Sequence, residues 1–353
     1  MSESWPVTVL GATGYVAGEL LRLIAGHPQL DLAAAVSESQ AGAPIGASFG
    51  HLAPLYRDAR FTAPEALAEL LAVTPRMAVF CAAPHGAAAS MIDGLLETAA
   101  QVETDVRVVD VSADFRFRDA GAYADVYGHA HGAAHRLAEF ASGLPEHVEG
   151  VPARHIGHPG CFATAMLLAA VPLVKLGLVE DDLFVAAITG STGSGRQPLP
   201  TTHHPVRHAN LYAYSPLGHR HAPEVTGLIE AATGHRPRLH FVPHSGPFAR
   251  GIQATLQARL RQPVPAAELR SMLREFYAGS AFVSVVESTP RLKDVVGSNY
   301  AQLGVATDGE SIAVFSVIDN LLKGAAGGSM QWLNRMLGWP EHTGLTATGS
   351  GWT

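Results

Sequence analysis

Apolar runs alternate with turns and amphipathic stretches along the first half of the chain. "VTVLGATGYVAGELLRLI" (7–24) passes from a β-branched strand through a glycine turn into a segment whose apolar residues recur at helical spacing. Runs of strand length follow at "LDLAAAV" (30–36), "RMAVFCAA" (76–83) and "VRVVDVSA" (106–113), separated by stretches such as "PEALAELLAV" (64–73). Strands alternating with helices predict βαβ units, and therefore a Rossmann-type parallel sheet covered by helices. Beyond residue 161 the pattern changes. "LFVAAITGS" (183–191), "RLHFVPHS" (238–245), "GIQATLQARL" (251–260) and "AFVSVVES" (281–288) are richer in strict alternation, the signature of a mostly antiparallel sheet with one covered face. The chain thus reads as α/β with two domains: a parallel-sheet domain over 1–157 and an α+β domain with a mostly antiparallel sheet over 158–319. "DNLLKGAAGGSMQWLNRMLGWP" (319–340) reads as a helix interrupted by small residues, and the closing "TATGSGWT" as frayed.

Composition narrows the function. Of 353 residues only 16% are charged and 47% are hydrophobic, so part of the surface is expected to be covered in a homodimer or homotetramer. A net charge of -7 without a basic run argues against nucleic acid and anionic membranes as partners, leaving small molecules. The first residues lack a signal-peptide pattern and no apolar stretch approaches the ~20 residues of a membrane span, so the expected location is cytoplasmic. The two cysteines, Cys81 and Cys161, are too few for a disulfide framework and lack metal-ligand spacing. His129, His131 and His135 lie close together, but no cysteine or carboxylate cluster joins them, and no metal is expected.

Three features carry chemistry. In "GATGYVAG", Gly11, Thr13, Gly14, Tyr15 and Val16 follow a strand and open a helix, where a glycine turn lets a pyrophosphate approach backbone N–H donors. About 20 residues on, Glu38 in "VSESQAG" could accept both ribose hydroxyls of NAD, whereas Ser37, Ser39 and Gln40 could bind a 2′-phosphate if Glu38 points away. The local sequence leaves that choice open. The second feature is Cys161 in "GHPGCFATAML": the Pro-Gly turn before an apolar run puts it at a helix N-terminus, where a thiolate is favoured. Cys81, in a buried strand pattern, reads as a core residue. The third is "GHRHAPEV", about 60 residues later, with His219 and His221 just before Pro223; residues two apart do not share a helix face, so one of them is expected to aim at the thiol. A dinucleotide fold, a helix-start cysteine and a distant histidine together suggest hydride transfer through a thioester.

At this point the motifs become recognisable. "GATGYVAGEL", "APHG", "DVSADFR", "GLPE", "HPGCFATA", "GSTGSGR", "GHRHAPE", "PHSGPFARGI" and "DNLLKGAAG" occur in the order seen in N-acetyl-gamma-glutamyl-phosphate reductases, and nearly the whole chain resembles that family. "THHPVRHANLYAYSPLGHRH" and "NRMLGWPEHTGL" resemble the related reductases whose glutamyl or aminoadipyl phosphates ride on an acidic amino-group carrier protein. The resemblance implies an NADPH-dependent reduction of an acyl phosphate to a semialdehyde in arginine biosynthesis, or the carrier-linked reaction of lysine or arginine biosynthesis. It implies Cys161 as nucleophile and His219 as general acid and base, with a pKa near neutrality. His221, Glu224, Arg116, Arg220 and Arg250 become substrate-binding candidates, with the glycine loop Ser191 to Gly195. The C-terminal segment 320–353 is expected to pack back on the nucleotide domain, with Asn320, Gly324 and Ala325 beside the nicotinamide. Pro84, His85 and Gly86 would stand opposite, and Ser191 and Gly193 would also touch the cofactor. Two residues depart from the family pattern: Ser142 stands where a tyrosine is common, and His158 where an asparagine is common.

Overall fold

The computed structural model describes residues 4–352, and they form two compact units. The first comprises 4–142, 150–158 and 329–345. Its core is a six-stranded, wholly parallel sheet built from β1 (Trp5–Leu10), β2 (Leu30–Val36), β3 (Arg76–Cys81), β4 (Asp105–Asp110), β5 (Phe140–Ser142) and β6 (His155–Gly157), in the spatial order β2-β1-β3-β4-β6-β5. Met77 to Cys81 are all buried, as expected of a central strand covered on both faces. Cys81 is core, and burial pushes its thiol well above the usual range.

The chain returns to this unit late. Trp332 is fully buried, and Asn334 bridges the return: its Oδ1 lies 3.0 Å from His27 Nε2, and its Nδ2 donates to the carbonyls of Glu341 and Thr343. Gly344 has φ +70°, and a Cβ there would stand 2.5 Å from His27 Cδ2. The returning segment is therefore 329–345 and not the whole of 320–353; residues 320–328 stay with the second unit, where their backbone is bonded.

The second unit holds 143–149, 159–328 and 346–352. Its seven strands are β7 (Val179–Thr189), β8 (Tyr212–Ala213), β9 (Arg238–Ser245), β10 (Ile252–Leu260), β11 (Val283–Val285), β12 (Ala301–Thr307) and β13 (Ser311–Ile318), in the order β11-β12-β13-β10-β7-β9-β8. The central pairs are antiparallel, whereas β7 runs parallel to β9 and β11 parallel to β12. The helix Cys161–Lys175 packs between this sheet and the helix His221–Thr233, and every residue from Phe162 to Leu173 is buried. A helix apolar on all sides needs such double cover. The closing segment is not frayed throughout: Gly349 sits so close to Val296 that a Cβ would come 2.3 Å from its carbonyl oxygen. Among the described residues no helix is long and apolar enough to cross a membrane.

Candidate active site

In the first unit, the turn after β1 is held tightly from behind. Gly11 has φ +68°, and a Cβ on it would lie 2.6 Å from the backbone of Ala83. Gly18, one turn into the helix Tyr15–Gly26, abuts the Phe49 ring, 2.7 Å from where a Cβ would be. Gly14 is the opposite case: nothing lies within 4 Å of its would-be Cβ, it caps the helix without a side-chain acceptor, and no acid occupies the first turn. The helix start is thus left to an outside anion, and the turn fits a dinucleotide pyrophosphate. Beside it, Ser37 is buried with its hydroxyl 3.5 Å from that of Ser39, and Glu38 is exposed. Gly11→Ala should weaken dinucleotide binding by more than about tenfold and destabilise the unit by ~1–3 kcal/mol, because a forced Cβ meets backbone at a strained φ. Fluorescence titration with NADPH and a thermal melt check both.

The "APHG" and "SADFR" elements lock together in the same unit. Asp114, fully buried, accepts from Gly86 N at 2.9 Å, from Ala89 N at 2.9 Å and from the Tyr123 hydroxyl at 3.0 Å, while His85 Nδ1 accepts from Ala113 N at 2.9 Å. Asp114 therefore fixes the Pro84–Gly86 wall; the backbone groups it holds there, at Gly86 and Ala89, are 28 and 25 residues away in sequence, so no local spacing announces it. The three neighbouring histidines scatter to separate partners: His131 to the Asp114 carbonyl, His129 to that of Ala130, His135 to Asp93.

Cys161 is the first residue of its helix, after Gly160, which offers no side-chain cap. It lines a cavity of about 570 Å³ together with Thr189, Tyr214, His219, His221 and Ser245. His219 stands in an aromatic box, its ring centroid 5.8 Å from Phe162, 5.6 Å from Tyr214 and 5.4 Å from Phe241, all nearly edge-on. Burial there, with the Arg220 charge adding to it, pushes its pKa down to about 4. The expected near-neutral value is thus corrected for the free protein. Its Nδ1 accepts the backbone N–H of His221 at 3.2 Å, which leaves the proton of the neutral ring on Nε2. Tyr214, which sequence reasoning missed, is held protonated by burial and then by the Cys161 charge.

The family comparisons agree with this geometry. A family model described as semialdehyde dehydrogenase, NAD binding domain, matches residues 6–153, and one described as semialdehyde dehydrogenase, dimerisation domain, matches 161–320. An N-acetyl-gamma-glutamyl-phosphate reductase from Nitrosococcus oceani is 40% identical over 344 residues, covering 96% of each chain. The chain belongs to the N-acetyl-gamma-glutamyl-phosphate reductase family. The reductase of that name from Methanopyrus kandleri is 38% identical over 97% of this chain and 98% of its own. A relative from Aeropyrum pernix, named as a LysW-linked 2-aminoadipate and glutamate phosphate reductase, is 36% identical over 98% of both. In fold, the chain matches aspartate semialdehyde dehydrogenase II from Vibrio cholerae with a TM-score of 0.69 at 15% identity, over 95% of this chain and 99% of that one. The enzyme from Candida albicans, solved with NADP, matches with a TM-score of 0.65 at 16% identity, over 95% and 98%.

Within this reductase family framework, several of the candidate residues also make contacts inside their own unit. Arg116 is buried in the first unit, with Nε donating to the His158 carbonyl at 2.9 Å and Nη2 to that of Val111 at 3.0 Å. Arg250 clasps the buried carboxylate of Asp319, Nε to Oδ2 at 3.0 Å and Nη2 to Oδ1 at 3.2 Å. Asp319 also accepts from Gly297 N, Leu321 N and Leu322 N, so the pair is an internal anchor. Glu224 is likewise a positioning residue: buried, it accepts Gly160 N at 2.7 Å and so holds the turn before Cys161, and its other oxygen lies 4.0 Å from His221 Nε2. Arg220 and Gly193 do line the cavity. Asn320 belongs to the second unit, accepting from Gly251 N at 2.7 Å and donating to Thr192 Oγ1 at 3.0 Å, which fixes the loop Ser191 to Gly195.

The "DNLLKGAAG" segment reaches the thiol by its backbone. Leu322–Ala326 form a π-turn, with Gly324 N bonded to the Asp319 carbonyl and Ala326 N to that of Leu321. It sets Gly324 against the start of the Cys161 helix, 2.8 Å from Cys161 Cβ to a would-be Cβ. Beside it Lys323 and Glu146, both 1% exposed, pair at 2.6 Å, tying "GLPE" to this turn. Gly324→Ala should lower turnover by ~10²-fold by displacing the thiol, and stability by ~1–3 kcal/mol through overpacking. Steady-state kinetics and a melt separate the two.

Proposed function

We propose that the protein reduces N-acetyl-gamma-glutamyl phosphate to the semialdehyde with release of phosphate, using NADPH, as a cytoplasmic step of arginine biosynthesis. The observation that carries this reading is the uncapped helix start at Cys161 sharing one cavity with a neutral, boxed His219. The thiolate, favoured by the first-turn N–H groups, attacks the acyl carbon; an S–C bond forms, the C–O bond to phosphate breaks, and phosphate leaves with the bonding pair. NADPH bound at the Gly11–Gly14 turn would supply the hydride. His219 lends its Nε2 proton to the oxygen of the acyl carbon as the hydride is delivered and takes it back as the C–S bond breaks, so that the aldehyde forms and Cys161 leaves again as thiolate. The dimerisation-domain match supports a homodimer or homotetramer, which sedimentation analysis tests.

NADPH is preferred on the strength of the resemblance and of Ser37 and Ser39, despite Glu38. With the Glu38 carboxylate near the 2′-phosphate, Glu38→Gln should tighten NADPH more than NADH, by a fewfold in a paired titration; equal effects on the two would place Glu38 away from the ribose. The carrier-linked reaction is the second reading, favoured by the likeness to the Aeropyrum pernix relative. The deciding assay supplies NADP and phosphate with either free N-acetyl-glutamate semialdehyde or its carrier-linked counterpart and follows NADPH formation. Turnover of the free compound is expected; turnover confined to the carrier-linked one would replace the first reading by the second.

A further inference from the structure

Arg207 lies on the one-turn helix His204–Arg207 of the second unit and is 8% exposed. Its Nη1 donates to Ser245 Oγ at 2.8 Å, while Nε and Nη2, both closed off from solvent, meet no acceptor among the described residues. Nε and Nη2 form one edge of the guanidinium, the edge that grips an oxyanion with two parallel hydrogen bonds. Elsewhere in this chain Arg250 places that edge on the Asp319 carboxylate and Arg238 on that of Asp182. Arg207 presents the same fork with no hydrogen-bond partner on it among the described residues. A buried guanidinium left half unpaired is a costly arrangement, and the cost is removed when an anion enters.

The surroundings suit an anion. Arg207 stands in the wall of a cavity of about 250 Å³ with Ser191, Thr202, His204, His208 and Phe248, and no acidic residue lines it. Ser245, held by Arg207, is in turn part of the wall of the Cys161 cavity. The Ser191 to Gly195 loop also serves both: Ser191 faces the smaller cavity, Gly193 and Ser194 the larger. We propose that Arg207 is an oxyanion-binding residue beside the Cys161 cavity, its Nε and Nη2 taking either the free carboxylate of the substrate or phosphate. The identity of those two anions rests on the function proposed above; the fork itself does not.

The test uses the full-length protein and two variants, Arg207→Met and Arg207→Lys. Equilibrium titrations with N-acetyl-L-glutamate and with inorganic phosphate are run beside reverse-direction kinetics, in which the KM values for semialdehyde and for phosphate are measured separately. Arg207→Met is expected to weaken one of the two anions by roughly ten- to a hundredfold, with a smaller change in kcat. Loss confined to N-acetyl-L-glutamate and semialdehyde identifies the carboxylate; loss confined to phosphate identifies phosphate. Arg207→Lys should recover little, since an ammonium cannot reproduce the fork. Without ligand, Arg207→Met should melt no lower than wild type, because it removes an unpaired buried charge. Unchanged affinity for both anions overturns the proposal, as does failure of the wild-type protein to bind either. A lower unliganded melting temperature in Arg207→Met, corrected by lysine together with binding, also overturns it and makes Arg207 structural. If the functional reading alone is wrong, wild-type turnover of free semialdehyde is absent while the titrations still separate wild type from Arg207→Met.

Discussion

Cys161→Ser is expected to lower reduction by roughly 10³- to 10⁶-fold, the scale of removing a covalent nucleophile, and to leave NADPH binding at the Gly11–Gly14 turn unchanged. The serine hydroxyl occupies the same helix start, after the same Gly160 turn held by Glu224, so geometry is conserved and only nucleophilicity is lost. At neutral pH the hydroxyl is not ionised, and the first-turn N–H groups that favour a thiolate cannot make up the difference. Two measurements check this: steady-state turnover, and trapping of the acyl group on the protein after mixing with acyl phosphate, which the wild type gives and the serine variant does not. Turnover by the variant within tenfold of wild type would remove the thioester from the mechanism.

His219→Asn is expected to depress turnover by ~10²–10⁴-fold, as for a lost general acid or base. Its pH profile is the sharper test. Because burial holds the His219 pKa down to about 4 in the free protein, the ring is neutral, with its proton on Nε2, at every pH above that value, and it charges only as pH falls through it. The acid limb of kcat/KM that belongs to His219 therefore lies near pH 4, well below the ordinary imidazole value. An anionic acyl phosphate in the cavity stabilises the imidazolium and raises the pKa, so the corresponding limb in kcat lies at higher pH. A limb from the phosphate group of the substrate persists in both proteins; the one that vanishes in His219→Asn reports the histidine. His221→Asn, by contrast, is expected mainly to raise KM. If His221→Asn loses the low-pH limb and His219→Asn keeps it, the two roles are reversed.

Local chemistry was sufficient for much of this protein. The β-branched run, glycine turn and helical spacing of residues 7–24 already describe β1, the dinucleotide turn and the helix Tyr15–Gly26, because each is set by neighbours within a few residues. The Pro-Gly pair before an apolar run likewise puts Cys161 at a helix start, and strict alternation marks β10 as a strand covered on one face. The order of the motifs along the chain sufficed for the family.

What the tertiary structure decided concerns partners distant in sequence. Two arginines proposed for the substrate also bond within the chain, Arg250 to Asp319 and Arg116 to the carbonyls of Val111 and His158, since a guanidinium pairs with whatever acceptor the fold brings near. Arg207 is buried with Nε and Nη2 meeting no acceptor among the described residues, an arrangement that no local spacing announces. The pKa of His219 depends on three aromatic rings drawn from the helix Cys161–Lys175, strand β9 and the segment after β8, an enclosure that no spacing encodes. Gly324 is a small residue in an interrupted helix when read along the chain; only the packing of the π-turn on Cys161 makes its missing Cβ a condition for placing the thiol. Local pattern fixes which backbone conformation a segment adopts, whereas charge pairing, desolvation and close packing depend on contacts that exist only once the chain has closed on itself.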